Sequence, residues 1–247
     1  MKRVVDVIFS FFGLLLAAPI LIPTLFLVWR QDWRNPLYVA SRVGLNGKPF
    51  QMVKLRSMIV NADKSGVDST SSNDMRITPI GHFIRRYKLD ELSQLWNVLV
   101  GDMSMVGPRP NVKRETDLYT PMERNLLTVR PGITDFASIV FSDEGEILKS
   151  ESDPDLAYNQ LIRPGKSRLG LFYIQKRSLL IDLRIIYLTV FAIVSREIAL
   201  KKLHVALVKL NADQDLLDIS SRKRPLTPLP PPGTDRIVTS RDGNPYA

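Results

Sequence analysis

Apolar residues run almost unbroken from Val4 to Trp29, interrupted by Asp6, Ser10 and Thr24. The run is longer than the roughly 20 residues a membrane-spanning helix needs. Two features set a re-entrant path against a spanning one. Pro19 and Pro23 fall past the middle of the run, where each removes a backbone donor and favours a kink or break. Both flanks are positive, with Lys2 and Arg3 before the run and Arg30, Arg34 and Arg42 after it. Both ends then prefer the cytoplasmic face. The pattern predicts a helix–break–helix hairpin over residues 1–34, broken at Pro19, with Trp29 and Trp33 at the interface; a spanning helix is its rival. A cleaved signal peptide fits poorly, because the run continues beyond Ala17-Ala18 and no Ala-x-Ala site ends it.

Beyond the anchor the period changes. Pro36 to Met58 reads as two short strands around the turn signal Asn46-Gly47. The second strand ends with Lys54 and Arg56 two positions apart, hence on one strand face. That face is either a solvated edge or one turned toward phosphate. Residues 61–73 are polar and read as a loop or lid. Thr78-Pro79 opens a helix carrying Ile80, Phe83 and Ile84. A second amphipathic run follows, with Leu89, Leu92, Leu95, Trp96 and Leu99 on one face, Glu91, Gln94 and Asn97 off it, and Gly101 as its stop. Asp90 and Glu91 occupy its first turn, where the helix dipole favours negative charge. On local evidence the pair serves either the helix end or chemistry.

Residues 179–194 are strongly apolar but hold Asp182 and Arg184, and the clean stretch from Ile185 to Val194 is too short to span. It reads as an amphipathic helix in the membrane interface, continued by Arg196, Lys201 and Lys202, or equally as a core helix. Residues 211–247 are polar and proline-rich, which predicts a disordered tail. The expected organisation is an anchor over 1–34, an α/β catalytic domain over 35–210 and the tail.

Composition narrows the chemistry. The chain of 247 residues has 34 Lys and Arg against 25 Asp and Glu, a net charge of +9, which suits phosphate-rich partners. No cysteine and only two histidines, His82 and His204, exclude thiolate chemistry, His triads and multi-His zinc sites. Carboxylates, cations, hydroxyls or an oxygen-ligated metal remain. Nucleic acid is set aside, because the cations gather around carboxylates and an apolar anchor rather than in a stripe with aromatics.

Five blocks now stand in order: Lys54-Leu55-Arg56-Ser57-Met58, Thr78-Pro79-Ile80-Gly81, Leu89 to Leu99, Gly101 to Pro110, and Arg130-Pro131-Gly132-Ile133-Thr134. Together they resemble the bacterial sugar transferase family, the monotopic phosphoglycosyl transferases that start glycan assembly on undecaprenyl phosphate. The resemblance covers roughly residues 1–200. It implies a compact membrane-associated enzyme with a re-entrant helix broken near Pro19 and interfacial helices, on the cytoplasmic face of the bacterial inner membrane. The family often breaks this helix at Ser-Pro; here Ala18-Pro19 stands in that place.

The resemblance also implies roles. Asp90 is the expected nucleophile and Glu91 its partner, with Mg2+ held by both carboxylates. Arg85 matches a phosphate-binding arginine; Lys54 and Arg56 on their strand face are further phosphate candidates, as is Arg109, whose guanidinium fork suits phosphate oxygens. The implied reaction moves a sugar 1-phosphate from a UDP-sugar to undecaprenyl phosphate, with release of UMP. A homodimer is admitted as a partner, and a non-catalytic scaffold of a glycan-assembly complex is the alternative function. After Thr134 the chain departs from the pattern: Asp135-Phe136-Ala137-Ser138-Ile139 and the acidic Ser142-Asp143-Glu144-Gly145-Glu146 replace Gly-Trp-Ala-Gln-Val and an Asn-Gly-Arg motif. Asp135 is then either functional or a helix cap.

Overall fold

The computed structural model describes residues 1–65 and 69–240. Helix α1 (Lys2–Arg30) is continuous, with Pro19 and Pro23 inside it. The break expected at Pro19 is therefore not seen as an interruption. Missing proline donors weaken a helix only as far as nothing else holds it, and here one side is braced by tertiary contacts. Ala17, Leu21 and Val28 bury against Leu55, Ile84 and Leu89. The Thr24 hydroxyl also donates to the Ile20 carbonyl at 2.7 Å, in the turn between and after the prolines.

Both ends of α1 are fastened to the same folded body. Near its start, Lys2 Nζ reaches Asp182 Oδ2 (2.6 Å) and the Val106 carbonyl (3.0 Å), while the buried Asp6 carboxylate accepts from Ser104 Oγ and the Met105 amide. Beyond its end, Asp32 pairs with Arg56 at 2.5 Å. The other face presents Val4, Phe12, Leu15, Leu16, Ile22 and Phe26 outward, Leu16 at 80% exposure.

Strands β1 (Leu37–Val43) and β2 (Pro49–Leu55) pair antiparallel, from Leu37 opposite Leu55 to Val43 opposite Pro49. Asn46 and Gly47 both take positive φ in the connection, as the turn signal requires. Next come α2 (Pro79–Arg86), α3 (Leu89–Leu92), α4 (Leu95–Val100) and β3 (Ser104–Val106), then α5 (Lys113–Asp117) and β4 (Gly132–Thr134). Strands β3 and β4 pair in parallel, Ser104 opposite Gly132 and Val106 opposite Thr134. At Gly132 a Cβ would lie 2.1 Å from the Gly107 nitrogen, so only glycine permits this approach. The α/β class holds, as two small two-stranded sheets set among helices.

The remaining helices are α6 (Phe136–Val140), α7 (Glu144–Ile147), α8 (Pro154–Ala157), α9 (Arg163–Lys176), α10 (Leu179–Val194), α11 (Arg196–Lys209) and α12 (Gln214–Ser221). Phe136, Ile139, Leu169, Tyr173, Ile185 and Leu203 centre the main core. Helix α10 packs into the core on one side and leaves an apolar row exposed on the other. Ile185 and Leu188 are buried in the core, while Leu180, Val190 and Val194 stand exposed.

The expected disordered tail is corrected over its described part. After α12 an extended segment docks on the domain: the Leu229 amide donates to the Gln160 carbonyl (3.0 Å) and Gln160 Nε2 to the Val238 carbonyl (2.7 Å). Arg168 and Thr120 Oγ1 donate to the carbonyls of Pro230 and Pro232. Prolines offer acceptors without donors and lose little freedom on ordering, so a row of side-chain donors suffices to hold them. Val238 is only 2% exposed. Residues 241–247 lie outside the described residues.

Candidate active site

The Thr78 hydroxyl caps α2 by accepting from the Gly81 amide at 3.0 Å, with Pro79 at the first helical position. Gly81 is required by packing, because a Cβ there would lie 1.8 Å from the Ser57 carbonyl oxygen. Helix α2 thus lies against the end of the β2 arm. It delivers Arg85, whose Nε donates to Ser57 Oγ at 2.9 Å. Lys88 then takes a left-handed conformation (φ 56°), turning the chain into α3.

The expected single amphipathic helix is two short ones, α3 and α4, joined through Ser93 and Gln94. Two polar residues are turned inward. Ser93 Oγ accepts from the Leu55 amide (3.0 Å) and lies 2.9 Å from the Asp90 carbonyl, to which it donates. Asn97 Oδ1 accepts from the Val53 amide at 2.9 Å, and its Nδ2 donates to the Gln51 carbonyl at 2.7 Å. These side chains bind the helices to the edge of β2 that β1 leaves open. Asn97 and Gln94 are accordingly buried, whereas Trp96 is half-exposed at 52%, the reverse of the amphipathic pattern expected. Gly101 ends α4 with φ 104°, as expected.

This stitching sets Asp90 and Glu91 beside Lys54. Glu91 Oε1 pairs with Arg109 at 3.1 Å and lies 3.9 Å from Lys88 Nζ. Burial acts to raise the Glu91 pKa, but Arg109, Lys88 and Lys54 outweigh it and hold the group below its ordinary value. Glu91 in turn raises Arg109 above the usual guanidinium range. Among the described residues the Asp90 carboxylate makes no hydrogen bond or ion pair, although its charge acts on Lys54, Arg85 and Arg109. Burial and the neighbouring Arg109 push Lys54 down to about 8, against the pull of Asp90 and Glu91.

Arg56 does not join this group. It lies past the end of β2 and is 7% exposed, its guanidinium forked onto Asp32 at 2.5 and 2.6 Å with Nε on the Asn35 carbonyl. The expectation that Lys54 and Arg56 share a phosphate-facing surface is corrected: Arg56 closes the end of the anchor helix instead. Asp135 caps α6, accepting from the amide and hydroxyl of Ser138 at 2.7 Å each. Burial raises its pKa.

Sequence reasoning missed Ser93 and Asn97 as positioning groups. The signal for both was the register of polar residues against a strand edge, which a helical wheel does not show. No group of three or more metal-ligating side chains occurs among the described residues. The adjacent carboxylates are Asp90 and Glu91, and Glu91 is already paired with Arg109.

The family described as "Bacterial sugar transferase" matches residues 1–196, most of the chain. The chain belongs to the bacterial sugar transferase family. A Bacillus subtilis relative, provisionally named an undecaprenyl-phosphate N-acetylgalactosaminyl 1-phosphate transferase, is 44% identical over 133 residues, 54% of this chain and 70% of that protein. The UDP-glucose:undecaprenyl-phosphate glucose-1-phosphate transferase of Klebsiella pneumoniae is 35% identical over 77% of this chain and 39% of its own length. The undecaprenyl-phosphate galactose phosphotransferase of Salmonella typhimurium is 39% identical over 54% and 31% respectively. The chain thus spans less than half of the last two. The names of these relatives specify different sugars.

Proposed function

We propose that this sugar transferase moves a sugar 1-phosphate from a UDP-sugar to undecaprenyl phosphate in two steps. In the first, an Asp90 carboxylate oxygen attacks the β-phosphorus of the donor. The bond from that phosphorus to the bridging oxygen breaks, and UMP leaves with the electron pair. The phosphosugar remains on Asp90 as an acyl phosphate. In the second, a phosphate oxygen of the lipid attacks the same phosphorus and Asp90 departs as carboxylate, giving undecaprenyl-diphosphate-sugar.

The observation that carries this reading is the division of labour between adjacent carboxylates. Glu91 is committed to Arg109, while Asp90 is unpaired among the described residues, half-buried and faced by cations. A carboxylate without a partner of its own, faced by cations, is free to attack a phosphoryl group they draw in. Arg85, Lys54 and Arg109 stabilise charge on the transferring phosphoryl group. Asp90 and Glu91 would hold Mg2+, which neutralises the diphosphate when bound.

The anchor supports a membrane-bound acceptor. Both ends of α1 are tied to one domain while its far face is apolar, so on this reading the helix stays on one side of the bilayer and turns that face into it. The exposed row on α10 lies with it at the interface. On this reading the domain sits on the cytoplasmic face of the bacterial inner membrane, where a polyprenyl phosphate headgroup meets it. UMP release from UDP-glucose, UDP-galactose and UDP-N-acetylgalactosamine, with undecaprenyl phosphate and Mg2+, tests the reading. Turnover by the wild type and a loss of at least about 1,000-fold in Asp90→Asn are expected; normal turnover by the variant sinks the assignment.

A further inference from the structure

The helical turn that follows Asp90 and Glu91 holds a polar group that the fold leaves without a partner. Gln94 is 1% exposed, and its Nε2 is buried with no hydrogen bond among the described residues. A bare amide donor in the interior costs free energy, so its presence calls for an explanation.

The backbone ties Gln94 to the site. Its amide donates to the Glu91 carbonyl at 3.1 Å, and its carbonyl accepts from the Val98 amide at 3.1 Å. Ser93 and Gln94 both keep right-handed helical angles at the join of α3 and α4, so helical spacing runs through it. Residues three and four apart then lie side by side on one face, with side chains leaning toward the helix start. Gln94 therefore sits one turn beyond Glu91 and Asp90 on their face and leans back toward them. Val98, one turn further, shares a buried cluster with Ile133, whose carbonyl lies 3.5 Å from Arg109, the partner of Glu91. This face of the helix thus meets the wall from which Arg109 reaches the site.

Two complementary groups are left unpaired four residues apart, a carboxylate that accepts and an amide that donates. A carboxylate that attacks through one oxygen is best aimed when the other is held, and catalytic hydrogen bonds often close only once substrate is bound. We infer that Gln94 is a positioning residue for Asp90: its Nε2 donates to the carboxylate oxygen that does not attack, while the other oxygen bonds to the β-phosphorus. In the acyl phosphate the held oxygen becomes the carbonyl oxygen, and it keeps the hydrogen bond until Asp90 departs as carboxylate.

This rests on the proposed nucleophilic role of Asp90. Gln94→Met tests it, because methionine keeps the shape and removes the donor. Wild type and variant, as full chains in membrane mimetic with Mg2+, are rapidly mixed with the UDP-sugar that the wild type turns over, and the phosphosugar adduct is followed by intact mass. At saturating donor the adduct should form at least about tenfold more slowly in Gln94→Met, as for loss of a hydrogen bond to a charged group. The donor concentration giving half the maximal rate should match the wild type, because Gln94 does not touch the donor. The unfolding midpoint should equal or exceed that of the wild type, since a bare buried donor is gone. An unchanged rate overturns the inference, as does a change confined to the half-maximal concentration. So does an earlier unfolding midpoint or a variant that does not fold, either of which makes the amide structural. The wild type separates the two claims: if it forms no adduct, the role of Asp90 fails, whereas an adduct that Gln94→Met forms equally fast removes only the role of Gln94.

Discussion

Arg109 holds Glu91 at 3.1 Å, and the adjacent Asp90 carboxylate has no such partner among the described residues. Two neighbouring acids in one helical turn are thereby given different surroundings by a single arginine between two prolines. Replacing Arg109 by alanine should lower turnover by about 100-fold or more, as for loss of a positioned phosphate clamp. Arg109→Lys should recover little, since a point charge cannot span Glu91 and a phosphoryl oxygen as a fork does. Steady-state UMP release checks both. Full activity in Arg109→Lys would show that charge alone suffices.

Lys54 supplies a pH signature. Its pKa is lowered to about 8, from an ordinary 10.5. If its ammonium stabilises the transferring phosphoryl group, kcat/KM should fall as pH rises through about 8. The guanidinium of a Lys54→Arg variant stays charged, so the fall should disappear. Stability moves the other way. Between pH 8 and 10.5 the unfolded chain binds more protons at this lysine than the folded one, so the cost of burying the ammonium is relieved as pH rises through that window. Denaturation in detergent across the window should show this rise, and show it lost in Lys54→Met.

Asn97 carries the β2 edge. Its truncation leaves the Val53 amide and the Gln51 carbonyl without their partner, so Asn97→Ala should destabilise by about 2 kcal/mol. Turnover should fall as well, because the turn bearing Asp90 is no longer fixed to Lys54. Unfolding midpoints and UMP release on the same preparation separate the two effects.

The path of α1 can be read by labelling. The chain has no cysteine, so single cysteines inserted before Lys2 or placed as Arg34→Cys report cleanly. Neither should react with an impermeant thiol reagent added outside intact cells. Reaction at one end alone would mean that the helix crosses the bilayer.

Much of this was legible in the chain. Thr78-Pro79 and Gly101 marked helix ends, Asn46-Gly47 marked the hairpin, and the ordered blocks marked the family, because each depends on local backbone chemistry. What failed depended on distant partners. The continuity of α1 through Pro19 follows from its bracing by Leu55, Ile84 and Leu89. The direction of Arg56 follows from Asp32, and the docking of the proline-rich tail from donors on Thr120, Gln160 and Arg168. Burial of Gln94 and Asn97 in place of Trp96 reflects a strand edge and an exposed apolar surface, neither of which appears in helical periodicity.

The covalent step is the centre of the account. Intact-protein mass is measured after the chain is incubated with Mg2+ and each UDP-sugar in turn, without lipid acceptor and with rapid acid quench. Wild type should gain the mass of one phosphosugar with its effective donor, release UMP stoichiometrically, and lose the adduct when undecaprenyl phosphate is added; Asp90→Asn should gain none. Absence of any adduct from a wild type that turns over, or an equal adduct on Asp90→Asn, would contradict it.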